Sequence, residues 1–298
     1  MKNILLLVTL ILLTACAAPP NIPAPGPPAH TATFTVPPLP SPTPWSTKTP
    51  RPTRTATPTP HACWSAGGQL VEESIPTNLL PAPIPVRIYL PPCYHQFPDT
   101  DYPALYLFHG QGFDHTQWPR LGITTLADEW IASGQAPPLL IVMPAIEDWN
   151  GPADSAFGQA VIEELVPYLE AQYRARPNRE NRVVGGVSRG GSWAIHLGLA
   201  EWETFAAFGA HSAPVFFDDA PYILYWLAAI PEQHYPRIYL DYAESDQSII
   251  RRSVNEFISQ LGERYIPYTF STAPGAHNES YWASQVEIYF AFYIKGFE

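Results

Sequence analysis

The stretch Arg182-Val183-Val184-Gly185-Gly186-Val187-Ser188-Arg189-Gly190-Gly191 decides the fold. A β-rich run enters a Gly-x-Ser-x-Gly pentapeptide and leaves into Trp193, Ala194, Ile195 and Leu197, which suit a helix. A strand that turns at once into a helix holds its central residue in a strained conformation with the Ser188 hydroxyl above the sheet. Only small residues at Gly186 and Gly190 escape a clash there. The following helix N-terminus offers backbone N–H groups and a dipole favourable to developing negative charge. The pentapeptide alone is a moderate signal, and its placement between strand and helix strengthens it.

Outward from this elbow, short β-rich runs alternate with helical patterns. Strands are expected at Val86 to Leu90, Ala104 to Phe108, Leu139 to Met143, Arg182 to Val187, Phe205 to Gly209, Arg237 to Leu240 and Pro267 to Ser271. Runs such as Leu105-Tyr106-Leu107-Phe108 are apolar at successive positions, as parallel strands covered on both faces are. The pattern predicts an α/β fold, a mostly parallel central sheet with helices on both faces. Val254, Phe257, Ile258 and Leu261 make one helical stripe, with Gly262 as its expected stop. A second helix is expected over Gln159 to Tyr173, kinked or broken at Pro167.

A serine hydroxyl needs a base within hydrogen-bond reach, and in this fold the partners follow in the order Ser, acid, His. His277, in Pro274-Gly275-Ala276-His277-Asn278 after the last expected strand, is the base candidate; His196 and His211 read as structural. Asp246 is the first choice for the orienting acid, with Asp241 and Glu244 as competitors in the same region. In Leu107-Phe108-His109-Gly110-Gln111-Gly112, the N–H of Gln111 or Gly112 would join that of Arg189 in an oxyanion hole. His109 and His115 lack companions at ligand spacing, so neither metal nor other cofactor is expected. Trp118, Trp149 and Trp282 are candidates for stacking on a substrate at the mouth, with packing as the alternative. The aromatic segment Pro214 to Tyr235 is a candidate wall or cap over the site, or else a buried helical connection.

Together these residues resemble the Putative esterase family (esterase D and feruloyl esterase-like) of the α/β-hydrolase superfamily. The resemblance covers most of residues 84 to 295. It rests on Tyr89-Leu90-Pro91-Pro92, Tyr102-Pro103, His109-Gly110, Glu164 to Tyr168, the elbow, Asp246, and Gly275-Ala276-His277 with Tyr281-Trp282. It implies an α/β-hydrolase fold with Ser188 as nucleophile, His277 as general base and Asp246 as orienting acid. The implied activity is serine carboxylesterase action on short-chain or aryl esters of the feruloyl or acetyl type, through an acyl-enzyme. An acyltransferase of the mycolyltransferase type and a catalytically silent surface binding module are the alternatives. Arg189 departs from the family pattern, in which an uncharged residue is common.

The N-terminal portion reads differently. Lys2, the apolar Ile4 to Leu13 and Leu13-Thr14-Ala15-Cys16 have the layout of a lipoprotein signal peptide over residues 1–15, with Cys16 as the lipidation site; an ordinary signal peptide is the alternative. Residues 16–62 hold fifteen prolines and read as a semi-rigid spacer ahead of an esterase domain over 63–298. The expected location is extracytoplasmic, anchored to the lipid bilayer of a bacterial envelope. Cys63 and Cys93 are then an even pair in an oxidising compartment and are expected to form a disulfide, with two free thiols as the alternative. Four positive charges and no acid fall in residues 1–62, so the chain's net −11 becomes −15 over the remainder, whose single lysine is Lys295. Such a surface offers nothing to a phosphate backbone, and nucleic-acid binding is excluded on that ground.

Overall fold

Where every position of a strand is apolar, both faces must be covered, and the computed structural model, which describes residues 62–297, shows how. Among these residues one sheet contains β1 (Gln69–Ile75), β2 (Ile84–Leu90), β3 (Ala104–Phe108), β4 (Leu140–Pro144), β5 (Arg182–Val187), β6 (Ala207–His211), β7 (Arg237–Ala243) and β8 (Thr269–Ala273). Their order is β1-β2-β4-β3-β5-β6-β7-β8, with β2 antiparallel to both neighbours and every other pairing parallel. The helices are α1 (Gln117–Leu121), α2 (Ile123–Ser133), α3 (Phe157–Ala160), α4 (Val166–Tyr173), α5 (Arg189–Ala200), α6 (Ile223–Ala229), α7 (Ser248–Glu263) and α8 (Glu279–Ile294).

Alternate residues of each central strand feed two cores. Tyr106 and Phe108 of β3 pack with Trp193 of α5 and Phe257 of α7, whereas Leu105 and Leu107 pack with Trp118 of α1, Ile131 of α2 and Phe290 of α8. Helices α1, α2 and α8 therefore cover one face and α3 to α7 the other. Each fully buried Leu or Phe in these layers contributes roughly 1.5–3 kcal/mol. A single compact unit takes in all the described residues. None of the described helices is long and apolar enough to cross a membrane. Residues 1–61, with the expected signal segment, Cys16 and most of the spacer, lie outside the described residues.

Several local expectations change. β1 was not anticipated, because Gln69-Leu-Val-Glu-Glu-Ser-Ile is an edge strand exposed along most of its length and carries little apolar signal. β6 and β8 begin two residues later than their sequence patterns suggest, which puts His211 inside the sheet. The irregularity expected at Pro167 takes the form of a wider π-type turn over Val161–Leu165, which joins α3 to α4 just ahead of the ring, and Pro167 stands in the first turn of α4. Gly262 lies within α7 and does not stop it. The left-handed stop is Tyr265 (φ 57°), with Tyr265 N–H donating to Gly262 O at 3.1 Å and Ile266 N–H to Leu261 O at 3.0 Å. The disulfide forms between Cys63 and Cys93, Cα atoms 5.2 Å apart, closing a loop that contains the β1–β2 hairpin.

Candidate active site

The turn from β5 into α5 places Ser188 at φ 53° and ψ −124°, a conformation that a side-chain-bearing residue adopts only when its surroundings impose it. The glycines flanking it are sterically required. A Cβ on Gly186 would run into the backbone of Gly190, and one on Gly190 into the carbonyls of Phe108 and His109. Ser188 N–H donates to His211 O at 2.7 Å, tying the elbow to the end of β6.

Three expected residues converge here from distant parts of the chain. The Ser188 hydroxyl donates to His277 Nε2 at 2.9 Å, and His277 Nδ1–H donates to Asp246 Oδ1 at 2.9 Å. Asp246 follows β7 and its side chain is fully buried, with Gln247 N–H donating to Oδ1 at 2.7 Å. Burial alone would raise the Asp246 pKa. The hydrogen bond from His277, the proximity of the imidazole and of the Ser212 hydroxyl, and the Gln247 amide more than offset it, and the carboxyl lies below its ordinary value.

The competing acids have other positions. Glu244 is exposed. Asp241 is buried on β7 in a separate network: His211 Nδ1–H donates to Oδ1 at 2.7 Å, and Tyr281 and Tyr289 hydroxyls each donate to Oδ2 at 2.7 Å. The Tyr293 hydroxyl completes it by donating to His211 Nε2 at 2.5 Å. Burial, reinforced by the Asp241 charge, raises the pKa of all three tyrosines and keeps them protonated donors. This network braces the site: His211 holds Ser188 through its carbonyl, and Tyr281 lies four residues after His277, its N–H capped by Asn278 Oδ1 at 3.0 Å. Sequence reading set His211 aside as structural and named Tyr281 only within the resemblance; it missed Tyr289 and Tyr293, whose helical spacing on α8 reads as ordinary core. His196 is likewise structural, paired with Asp219 at 3.0 Å.

The glycine-rich loop after β3 is held on both sides. His109 Nδ1–H donates to Gly110 O and Nε2 accepts from Ile146 N–H, both at 2.8 Å, so neither nitrogen is free for a metal. Burial lowers the His109 pKa and keeps the ring neutral. Gly110 N–H is committed to Gln117 Oε1 at 2.8 Å; Gln117 is a fully buried anchor that sequence reading overlooked. Phe113 N–H closes the turn onto Gly110 O at 3.1 Å, with Gly112 at φ 81° in its third position. Gln111 lines the same recess as Ser188 and Arg189, whereas Gly112 lines only a neighbouring one.

The tryptophans separate. Trp118 is not at the mouth: it is 1 % exposed on α1, and its indole N–H donates to Phe108 O at 3.0 Å, so its role is packing. Trp282 belongs to α8 and not to a loop; it is buried edge-to-face against His277, ring centres 5.1 Å apart, and forms part of the wall of a recess that reaches Ser188. Trp149 is 65 % exposed and lines the recess beside Ser188. The Arg189 guanidinium donates to Asn150 O and lies 4.0 Å from Asp148, so it holds the Trp149 loop against the site. Of the segment from Pro214 to Tyr235, only Pro214 to Phe217 line the recess beside Ser188; α6 carries the buried Ile223 and Leu227, as the helical alternative has it.

Two recesses meet at the serine. One, of about 620 Å³, is bounded by Pro214, Val215, Phe216, Phe217, Ile249 and Ile250. The other, of about 430 Å³, is bounded by Gly110, Phe113, Asn278, Glu279, Ser280 and Trp282.

A family model described as Putative esterase matches residues 77–291. Esterase Rv1288 of Mycobacterium tuberculosis is 34% identical over 139 residues, covering 43% of this chain and 29% of that protein. An endo-1,4-beta-xylanase/feruloyl esterase of Xylanibacter ruminicola is 29% identical over 148 residues, covering 45% of this chain and 20% of that protein. The matches thus span less than a third of these curated relatives. Among solved structures, a ferulic acid esterase superposes with a TM-score of 0.68 at 23% identity over 77% of this chain and 98% of its own, a likeness of fold.

Proposed function

The chain belongs to the Putative esterase family, and from that membership we propose that it is a serine carboxylesterase working through an acyl-enzyme on short-chain or aryl esters. The observation that carries this reading is the unbroken line Asp246–His277–Ser188, each link 2.9 Å, at the tip of the elbow. Ser188 Oγ attacks the ester carbonyl carbon while its proton passes to His277 Nε2; Asp246 fixes the ring tautomer and stabilises the imidazolium. The carbonyl oxygen, now an oxyanion, is held by the N–H groups of Arg189 and Gln111. The bond to the alcohol oxygen breaks, that oxygen takes the proton from Nε2, and the alcohol leaves. Water then attacks the acyl carbon, giving its proton to Nε2. The Oγ–carbon bond breaks, Oγ recovers the proton and the carboxylic acid departs.

His277 borders both recesses; the alcohol is assigned to the one lined by Asn278, Glu279 and Ser280, and the acyl group to the one bounded by Pro214, Val215, Phe216 and Phe217. Ser188→Ala should lower kcat on p-nitrophenyl acetate by at least ~10³-fold. A fluorophosphonate should label the wild type and not the variant; undiminished turnover by the variant would end this assignment. Analysis of products with sugar acceptors present separates hydrolysis from acyl transfer.

The same reading holds the domain outside the cytoplasm by acyl chains on Cys16. It is supported by Leu13-Thr14-Ala15-Cys16 and by the Cys63–Cys93 disulfide, a bond at home in oxidising compartments. Radiolabelled palmitate incorporated by the wild type and lost in Cys16→Ser tests it.

A further inference from the structure

The recess beside Ser188 does not end at its far wall of Pro214, Val215, Phe217 and Ile249. Pro214, Val215, Phe217 and Ile249 also line a second cavity of about 370 Å³. Its floor is Ile223 of α6 and Phe257 of α7, both 1 % exposed, and Ala220 stands at its side. Two of these four shared side chains are conspicuously wet: Phe217 is 92 % and Ile249 60 % exposed. Large apolar groups left in water at the junction of two cavities gain most when a third apolar group covers them.

We infer that this outer chamber receives the distal part of an aliphatic acyl chain, one that runs from the Ser188 carbonyl carbon across Phe217 and Ile249 onto Ile223 and Phe257. The inference rests on the esterase reading and deepens it, extending the acyl range from short chains to medium ones. The chamber opens only from the recess assigned to the acyl group, with which it shares Pro214, Val215, Phe217 and Ile249; it shares no residue with the opposite recess of Asn278, Glu279 and Ser280. Each further methylene buried against this wall favours binding by about fourfold. Chains that end inside the first recess gain nothing from the chamber, so the preference sets in between butyrate and octanoate and shows itself in KM.

The test is the kcat/KM series for p-nitrophenyl acetate, butyrate, octanoate and decanoate, each kept monomeric, on the whole folded protein and on Ala220→Trp. Ala220 is exposed, and an indole there fills the chamber at a distance from the triad. The wild type should favour octanoate over acetate by at least about tenfold, and Ala220→Trp should reduce that ratio by at least about tenfold. Ile249→Ser, also at an exposed position, reads the same ratio should the indole disturb folding. A wild type whose kcat/KM declines beyond butyrate, or variants whose octanoate-to-acetate ratio equals the wild-type ratio, would overturn the inference. If no ester is turned over and no fluorophosphonate reacts, the esterase reading itself falls. Acetate turnover and labelling without the octanoate preference remove only the chamber.

Discussion

Ser188 stores strain that its chemistry requires. Both Ser188→Gly and Ser188→Ala delete the hydroxyl and its bond to His277, but only glycine adopts φ 53°, ψ −124° without penalty. Denaturant unfolding should therefore find the glycine variant more stable than the alanine variant by about 1–2 kcal/mol, with both inactive. His109 makes a second prediction at this scale. Its folded pKa is lowered, so between its ordinary value near 6.5 and its lower folded value the unfolded chain binds a proton that the native state refuses. Stability contributed by the neutral ring is full above that ordinary value and is lost as pH falls through the window, by at most about 1.4 kcal/mol per pH unit. Unfolding curves at several pH values should show a steeper acid-side loss in the wild type than in His109→Asn, and equal slopes would refute the assignment. Sequence could name Ser188, His277 and Asp246 because catalytic order constrains them. It ranked Asp246 above Asp241 without showing why: Asp241 sits within β7 and faces His211, whereas Asp246 lies in the turn beyond the strand and faces His277.

Elements were legible where burial is complete. β3, β4 and β5 are apolar at nearly every position because helices press on both faces, and their patterns give them away. The edge strand β1 escapes notice because solvent tolerates Gln69, Glu72 and Glu73 on it. Helix ends were misread for a related reason: a glycine is a preference and not a requirement for a left-handed stop. Beyond α7 the left-handed residue is Tyr265, which is 92 % exposed, with the buried Ile266 closing the turn onto Leu261. Tyr265→Gly should raise stability by roughly 0.5–1 kcal/mol by relieving the φ of 57°, without changing kcat; a lowered midpoint in thermal unfolding would show the tyrosine ring to matter more than its backbone.

Across the whole molecule, the helix–sheet–helix layering and the charge division between spacer and domain were readable because both are bulk properties of composition and pattern. Pocket shape was not: Trp118 and Trp149 look alike in sequence, yet one is core and the other lies in solvent, a difference set by which side of α1 and which loop each occupies. The disulfide acts at this scale as well. Cys63 and Cys93 are 30 positions apart, and opening a loop of that size should cost roughly 3–4 kcal/mol of stability on reduction, measurable as a lower denaturation midpoint in dithiothreitol.

The placement of that cross-link also determines how a pull would travel. Tension applied ahead of Cys63 passes through sulfur directly to Cys93 and skips residues 64–92, so the β1–β2 hairpin hangs slack beside the load path. Under optical tweezers the oxidised protein should yield in one high-force rupture of its interior. In reductant a short, weak peeling step should come first, as the outermost ribbon unzips.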